Sequence, residues 1–196
     1  MMRPPALRDP RPILLGALAT ALLTGAGCDA KKPQAVGLGP YRFGHTTRAD
    51  LKSGVCQPTE LTDGRKATWC FALPPIKVGE RTADVDAYFL GSDPPLLAEN
   101  PTEEARAARR KELEKLPLIE LQLKIRGCVE TDVEQWMRQR YGGADSDSAG
   151  THVYWHNDFL WAMAELPSEP GRCLIHFLPT TEGAEIARLK AKQPKQ

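Results

Sequence analysis

Cysteine is the residue type that most constrains how this 196-residue chain can fold. The first of its five cysteines, Cys28, follows a basic start, an apolar run over residues 13–23 and a stretch of small residues. This order is typical of a secretory signal. The apolar run is too short for a membrane-spanning helix, which needs about 20 residues. We therefore expect residues 1–27 to be a signal peptide and the folded protein to begin after it.

The junction at Cys28 resembles the lipobox of bacterial lipoproteins, in which the thiol receives a lipid with fatty acyl chains such as palmitate before the leader is removed. Ala26 and Gly27 fit the small positions of that motif, and Gly25 stands where leucine is usual. The resemblance implies lipidation of Cys28 and a membrane anchor in the cell envelope, facing the periplasm or the cell surface. Asp29 resembles an inner-membrane retention signal, but the rule differs among bacteria, so neither the inner nor the outer membrane is assigned. Ordinary cleavage near residues 25–27, which would give a secreted protein, is the alternative.

Acylation of Cys28 leaves an even number of cysteines, which can pair in an oxidising compartment. The remaining cysteines are Cys56, Cys70, Cys128 and Cys173. A hairpin with its loop at residues 62–64 places the first two opposite each other on neighbouring strands, and Pro58 makes its first arm an edge strand. The third cysteine ends a predicted strand and the fourth begins another. We predict the pairs 56–70 and 128–173, one of the pairings that four cysteines allow.

The charge balance argues against nucleic acid as a partner. The leader holds three of the 26 Lys and Arg residues and one of the 25 Asp and Glu residues, so the rest of the chain is nearly neutral. Nucleic-acid binding depends on many phosphate-neutralising Lys and Arg residues. Export favours disulfides over zinc as the explanation of the cysteines, and no Cys-x-x-Cys pair is present. We expect neither a metal nor a cofactor.

Periodic patterns predict one α+β domain over residues 41–180. Alternation predicts a strand at residues 83–90 and another at residues 118–125. The second strand directs one set of apolar residues to the core: Ile119, Leu121, Leu123 and Ile125. Short connections favour antiparallel pairing, so we predict a single antiparallel sheet with a packed helix and short flanking helices.

The helices have recognisable starts. The packed helix is predicted at residues 131–141, with Thr131 as its N-cap. Its apolar face comprises Val133, Trp136, Met137 and Tyr141. Thr47 begins a short entry helix, and Asn100 caps a charged helix that reaches residue 116.

The ends of the chain are predicted to lie outside this domain. Residues 28–40 are expected to comprise the lipidated cysteine and a flexible tether, because they are polar and then rich in Gly and Pro. Residues 181–196 are expected to form a short helix and a basic tail.

A predicted β-hairpin with its turn at residues 157–158 carries a candidate interaction surface. A two-residue turn pairs Tyr154 with Trp161 and places His152, Tyr154 and His156 along one strand face. The two histidines would lie about 13 Å apart, too far to share a zinc ion. If exposed, these side chains form a recognition surface, and packing within the domain is the alternative.

The other ionisable residues form no catalytic motif. Asp84 and Asp86 share a strand face about 7 Å apart, but they have no identifiable acid–base partner, so a solvated face is expected. His176 alternates with apolar neighbours and is expected to be partly exposed. We predict no catalytic residue in this chain.

The segment from Phe43 to Pro179 resembles the small helix-and-sheet modules of outer-membrane assembly lipoproteins and the β-lactamase-inhibitor-like fold. The likeness rests on the entry helix near Gly44, a strand meander, and a helix that ends in Tyr141-Gly142 before further strands. It transfers no functional residue and implies a non-catalytic domain that binds a protein partner in the cell envelope. The alternative is a periplasmic protein that binds a small ligand or peptide through the surface of His152, Tyr154 and His156 and the loop at residues 143–150.

Overall fold

The structure of the chain, a computed structural model, describes residues 36–145, 148, 151–169 and 171–191. The predicted signal peptide, Cys28 and most of the predicted tether lie outside these residues. The described part is an α+β fold with three α-helices, an antiparallel sheet of seven strands and a small sheet of two. Its elements in chain order are β1 Gly37–Leu38, β2 Tyr41–Arg42, a one-turn 3₁₀ helix Arg48–Asp50, β3 Val55–Glu60, β4 Lys66–Val78, β5 Arg81–Leu90, α1 Glu103–Leu113, β6 Leu118–Arg126, α2 Glu130–Tyr141, β7 His152–His156, β8 Leu160–Glu169, β9 Arg172–Pro179 and α3 Gly183–Ala191.

The large sheet has the order β3-β4-β5-β6-β9-β8-β7, and every neighbouring pair is antiparallel. This architecture confirms the predicted fold class. The central strands β6 and β9 join a meander at each side, and β3 is an edge strand because Pro58 lacks the N–H that a further neighbour would need. Within the described residues, none of the helices has the length and apolarity that crossing a bilayer requires.

The main core lies between α2 and one side of the large sheet, which we call the inner face. Val133, Trp136 and Met137 of α2 are buried against apolar side chains of the sheet. The fourth predicted residue, Tyr141, is partly buried, and its ring lies 5.6 Å from that of Phe177 between centroids. Gly142, with φ of 90°, ends the helix in a conformation that favours glycine.

Two disulfides fasten the sheet. Cys56 and Cys70 are direct cross-strand partners on β3 and β4, with their Cα atoms 4.1 Å apart. Cys128 and Cys173, whose Cα atoms are 5.7 Å apart, join the chain after β6 to the start of β9. These are the two predicted pairs, and the second requires β6 and β9 to be neighbours in the sheet, as they are.

A β-bulge changes the face assignment in the first part of β6. Tyr88 of β5 faces Glu120, but the next residue, Phe89, faces Leu118, so Ile119 is an extra residue in the ladder. Leu118 therefore joins the main core, and Ile119 packs in a separate cluster with Leu61 and Ala67. The prediction that Ile119 shares a face with Leu121, Leu123 and Ile125 is wrong at this position, because alternation cannot reveal an inserted residue.

The hairpin between β7 and β8 has a longer loop than the sequence suggests. Tyr154 faces Met163, and His156 faces Trp161, so the predicted direct pairing of Tyr154 with Trp161 is wrong. The Asn157 side-chain oxygen accepts hydrogen bonds from the N–H groups of residues 159 and 160, which builds a wider turn. The shift of register is even, so both aromatic residues keep their common face and touch diagonally, with ring centroids 5.6 Å apart.

The starts of two helices differ from prediction. The N-cap of α2 is Val129, with no side-chain hydrogen bond, instead of Thr131. The N-cap of α1 is Thr102, whose hydroxyl accepts a hydrogen bond from the Ala105 N–H, instead of Asn100. Thr102 and Asn100 both suit a cap, whereas the side chain of Val129 cannot accept a hydrogen bond, so no capping side chain sets the start of α2.

The predicted tether extends too far along the chain. Gly37–Leu38 pairs with Tyr41–Arg42 as β1 and β2, and Leu38 is buried in the main core. The ordered domain therefore begins before residue 41, because Leu38 packs in the core although it lies in a Gly- and Pro-rich segment.

Candidate functional site: a polar groove on the outer face

The outer face is the side of the large sheet opposite α2, and α3 covers one part of it. Leu189 of α3 is buried in a cluster with four residues of the sheet: Tyr154, Trp161, Met163 and Leu178. Tyr154 and Trp161 are only 1% and 5% exposed. Of the two alternatives for this pair, the structure therefore supports packing within the domain and not a recognition surface, since the last helix packs on both residues.

The two histidines of the same strand have different environments. His152 is only 9% exposed, and its Nδ1 lies 3.3 Å from the Thr151 hydroxyl. His156 is exposed, and its Nδ1 lies 2.7 Å from an Asp145 carboxylate oxygen. Of the four predicted surface residues, His156 alone is clearly exposed, so the structure does not bring them together as a recognition surface.

Two acidic residues hold the start of α3 against the loop between β3 and β4. The Glu185 carboxylate accepts a hydrogen bond of 2.5 Å from the Thr62 N–H and one of 2.7 Å from the Arg188 Nε. Glu182 forms an ion pair with Arg65 of the loop. Burial opposes ionisation of Glu185, but the Thr62 hydrogen bond and the Arg188 guanidinium outweigh it and hold the pKa of that carboxyl below its ordinary value.

Beside α3 the outer face opens into a groove of about 540 Å³. Its lining comes from the end of β3 and the following loop, from the middle of the sheet and from α3: Thr59, Glu60, Leu61, Thr62, Tyr88, Glu120, Gln122, Glu165, Leu174, His176, Glu185 and Arg188. The volume lies within the range of about 300–1,000 Å³ of small-molecule sites, but the lining is more polar than usual.

The floor of this groove is a buried pair of ionisable side chains. His176 Nδ1 lies 2.7 Å from a Glu120 carboxylate oxygen, and each side chain is at most 5% exposed. Gln122 Nε2 donates a hydrogen bond of 2.8 Å to the same oxygen. Gln122 is the cross-strand partner of His176 on β6 and β9, so the register of the two central strands brings these groups together. The prediction that His176 is partly exposed is wrong.

The second ring nitrogen of His176 is available to the groove. Nε2 has no hydrogen-bond partner among the described residues, and it is not one of the fully enclosed polar atoms that lack one. When neutral His176 donates its Nδ1 proton to ionised Glu120, Nε2 becomes a hydrogen-bond acceptor. In that state the floor presents an oriented acceptor to any molecule in the groove.

Tyr88 lies opposite Glu120 on the neighbouring strand and lines the groove beside this floor. Burial raises the pKa of the Tyr88 hydroxyl far above its ordinary value, and the negative charges of Glu120 and Asp86 raise it further. Tyr88 is therefore a neutral hydroxyl, able to donate and to accept a hydrogen bond.

Asp86 is buried on the same face and is 4% exposed, so the prediction of a solvated carboxylate is wrong. Its Oδ2 accepts hydrogen bonds of 2.6 Å from Lys124 Nζ and 2.9 Å from the Trp69 indole N–H. Asp84 is exposed as predicted, and its Oδ2 lies 3.6 Å from the Arg126 guanidinium. Each aspartate therefore pairs with a different basic side chain, and the two do not form a carboxylate pair.

An aromatic patch adjoins this network near the edge of the sheet. We use this name for Val55, Trp69 and Phe71, which lie on β3 and β4. Val55 is 55% exposed, and both rings are partly exposed. The centroid of the Trp69 ring is 4.9 Å from that of Phe71 and 6.2 Å from that of Tyr88. Lys124 Nζ lies 5.8 Å from the Trp69 ring, a cation–π distance.

The comparisons with known proteins give no relative. No family model matches the chain, and no significant match is found among curated proteins or solved structures.

The residues of the groove were not recognisable as a site from the sequence. Glu120 and Gln122 alternate with apolar residues, which is the pattern of any half-solvated strand. Their partner, His176, lies 56 positions further along the chain than Glu120. Within the described residues, no group of three or more His, Cys, Asp or Glu side chains could hold a metal ion.

Proposed function

We propose that this chain is a membrane-anchored lipoprotein of the cell envelope with a non-catalytic protein-interaction domain. The leader and the cysteine at its end support the anchor. The two disulfides support an oxidising compartment, where such bonds persist. The anchor is the thiol of Cys28, and its acyl chains hold the domain at the membrane without a spanning helix.

The observation that carries the interaction role is the aromatic patch. Neither α2 nor α3 packs on Val55 or Phe71 in the described part of the chain. Partly exposed aromatic and apolar side chains that lie together are typical of the centre of a protein interface. The partner that fits this patch offers apolar side chains, and it approaches the domain beside the edge strand β3.

Two experiments test this proposal. Mass spectrometry of the mature N-terminus, with Cys28→Ala as the control, should find a lipid on the wild-type cysteine. An unmodified terminus elsewhere contradicts the anchor. Cross-linking in intact cells should capture a partner with wild-type protein and lose it with Val55→Thr/Phe71→Ser.

The matched control for the patch is Phe159→Ser, which removes an aromatic residue that is 56% exposed in the loop between β7 and β8. Capture should survive this change. Equal capture by the patch variant and the control contradicts an interface at the patch.

A second candidate function is binding of a small ligand or peptide, and the groove beside α3 favours it. Its floor is buried, oriented by cross-strand hydrogen bonds and open on one side. This alternative uses different residues from the aromatic patch, so the patch variants leave it intact.

A further inference from the structure

We propose that the groove beside α3 binds a cationic group with several N–H donors, the ammonium or guanidinium of a Lys or Arg side chain. This inference rests on the ligand-binding alternative and names its ligand class. Three observations carry it: the charges of the lining, the polarity of its hydrogen-bonding groups and the depth at which its floor lies.

The lining holds an excess of negative charge. Four carboxylates contribute to it against a single guanidinium: Glu60, Glu120, Glu165 and Glu185 against Arg188. Arg188 is already paired with Glu185. Glu60 and Glu165 have no ion-pair or hydrogen-bond partner among the described residues, so their charges remain unbalanced inside the groove. A bound cation would remove that imbalance.

The hydrogen-bonding groups of the lining also favour a cation with N–H donors. In its neutral form, with the Nδ1 proton directed to Glu120, His176 offers Nε2 as an acceptor. Gln122 gives its N–H to Glu120, and its amide oxygen remains an acceptor. The Glu165 carboxylate adds further acceptor oxygens. A group that carries several N–H donors satisfies this array, whereas an anion would face the four carboxylates of the lining.

The depth of the floor makes the array selective. Glu120 and His176 are almost completely buried, so water cannot solvate them as it solvates a surface pair. Hydrogen bonds that involve a charged group are about twice as strong as neutral ones and compensate the ligand for lost hydration. A lysine or arginine side chain also has an apolar stem that can lie along Leu174 and Tyr88 of the lining.

The test uses the full chain in detergent and matched probes that differ in charge. N-acetyl-arginine amide and N-acetyl-lysine amide are the cationic probes, N-acetyl-citrulline amide is the neutral isostere of the first, and N-acetyl-glutamate amide is the anion. Titration by isothermal calorimetry should give binding of the cations with an affinity at least about tenfold above that of the citrulline probe. The anionic probe should not bind.

Variants locate the site. Glu165→Gln removes an unbalanced charge without removing a contact within the protein, and it should weaken the cationic probes about tenfold. The control, Asp84→Asn, makes the same change of charge at an exposed site on the same face and should leave affinity unchanged. Thermal melting of both variants checks that the fold is intact.

The outcomes distinguish a groove that prefers cations from a groove that binds ligands regardless of charge. Equal affinity for the arginine and citrulline probes, both lost on Glu165→Gln, overturns the cation preference and keeps a ligand groove. Binding that Glu165→Gln does not alter overturns this site for the cation. No binding of any probe at millimolar concentration overturns the inference and leaves the protein-interaction proposal to its own test at the aromatic patch.

Discussion

Glu185 accepts a hydrogen bond from the backbone N–H of Thr62, 123 positions earlier in the chain. This contact joins the last helix to the first hairpin of the large sheet and closes one wall of the groove. The Glu182–Arg65 ion pair lies beside it and holds the same two elements together.

Glu185→Ala should therefore destabilise the fold, because it leaves the Thr62 N–H and the Arg188 guanidinium without their acceptor. We expect a loss of about 1–3 kcal/mol in the free energy of unfolding, measured by chemical denaturation. Glu114→Ala removes an exposed carboxylate paired with Arg110 on α1 and should cost less than about 1 kcal/mol. An equal loss for both variants would contradict a special role of the Glu185 contact.

The same carboxylate should make stability depend on pH. Its pKa is lowered in the folded protein, so folding favours the ionised form. The stabilisation is complete above the ordinary glutamate pKa and is lost as the pH falls through the lowered one. The difference in unfolding free energy between wild type and Glu185→Gln should be constant above about pH 5 and should shrink at lower pH. A difference that grows on acidification would show the opposite sign and refute the assignment.

The two disulfides should contribute unequally. They close loops with sequence separations of 14 and 45 residues. The chain-entropy relation gives about 3 kcal/mol for the shorter loop and about 4 kcal/mol for the longer one. Cys128→Ala/Cys173→Ala should therefore lower the denaturation midpoint more than Cys56→Ala/Cys70→Ala, and a reversed order would contradict this account.

Leu189→Ala tests the packing of α3 on the outer face. Leu189 is fully buried against Tyr154 and Trp161, so truncation should cost about 2–5 kcal/mol. Loosening of the helix should also shift the fluorescence of Trp161 towards that of a solvated indole. Lys111→Ala on the exposed helix α1 is the control, and it should alter neither stability nor fluorescence. An unchanged spectrum in Leu189→Ala would mean that α3 does not shield these rings.

Local patterns predicted a large part of the fold. The hairpin that pairs Cys56 with Cys70 follows from its turn and from Pro58, because a short loop fixes the register of both arms. The packed helix follows from the spacing of Val133, Trp136 and Met137. The bulge at Ile119 and the wide turn at Asn157 do not follow from the sequence. The first is an inserted residue that apolar neighbours conceal, and the second depends on two hydrogen bonds to one side chain.

The residues of the groove beside α3 could be predicted from local patterns even less well than the fold. Glu120, His176 and Glu185 lie on three separate elements, and each is an ordinary polar residue in its own segment. Their burial depends on which strands become neighbours and on where α3 comes to rest. Neighbouring positions in the sequence point instead to the hairpin at His152 and Trp161, much of which α3 covers.

The sequence by itself determined the alternation of strands and helices, the edge position of β3 and the hairpin register that pairs Cys56 with Cys70, because neighbouring residues encode all three. It also predicts the leader and the lipid anchor at Cys28. The tertiary structure decided which polar residues are buried and which aromatic residues are covered. The physical reason is that burial depends on the assembled sheet and its covering helix, whereas periodicity records only the preference of each segment for one of its own faces.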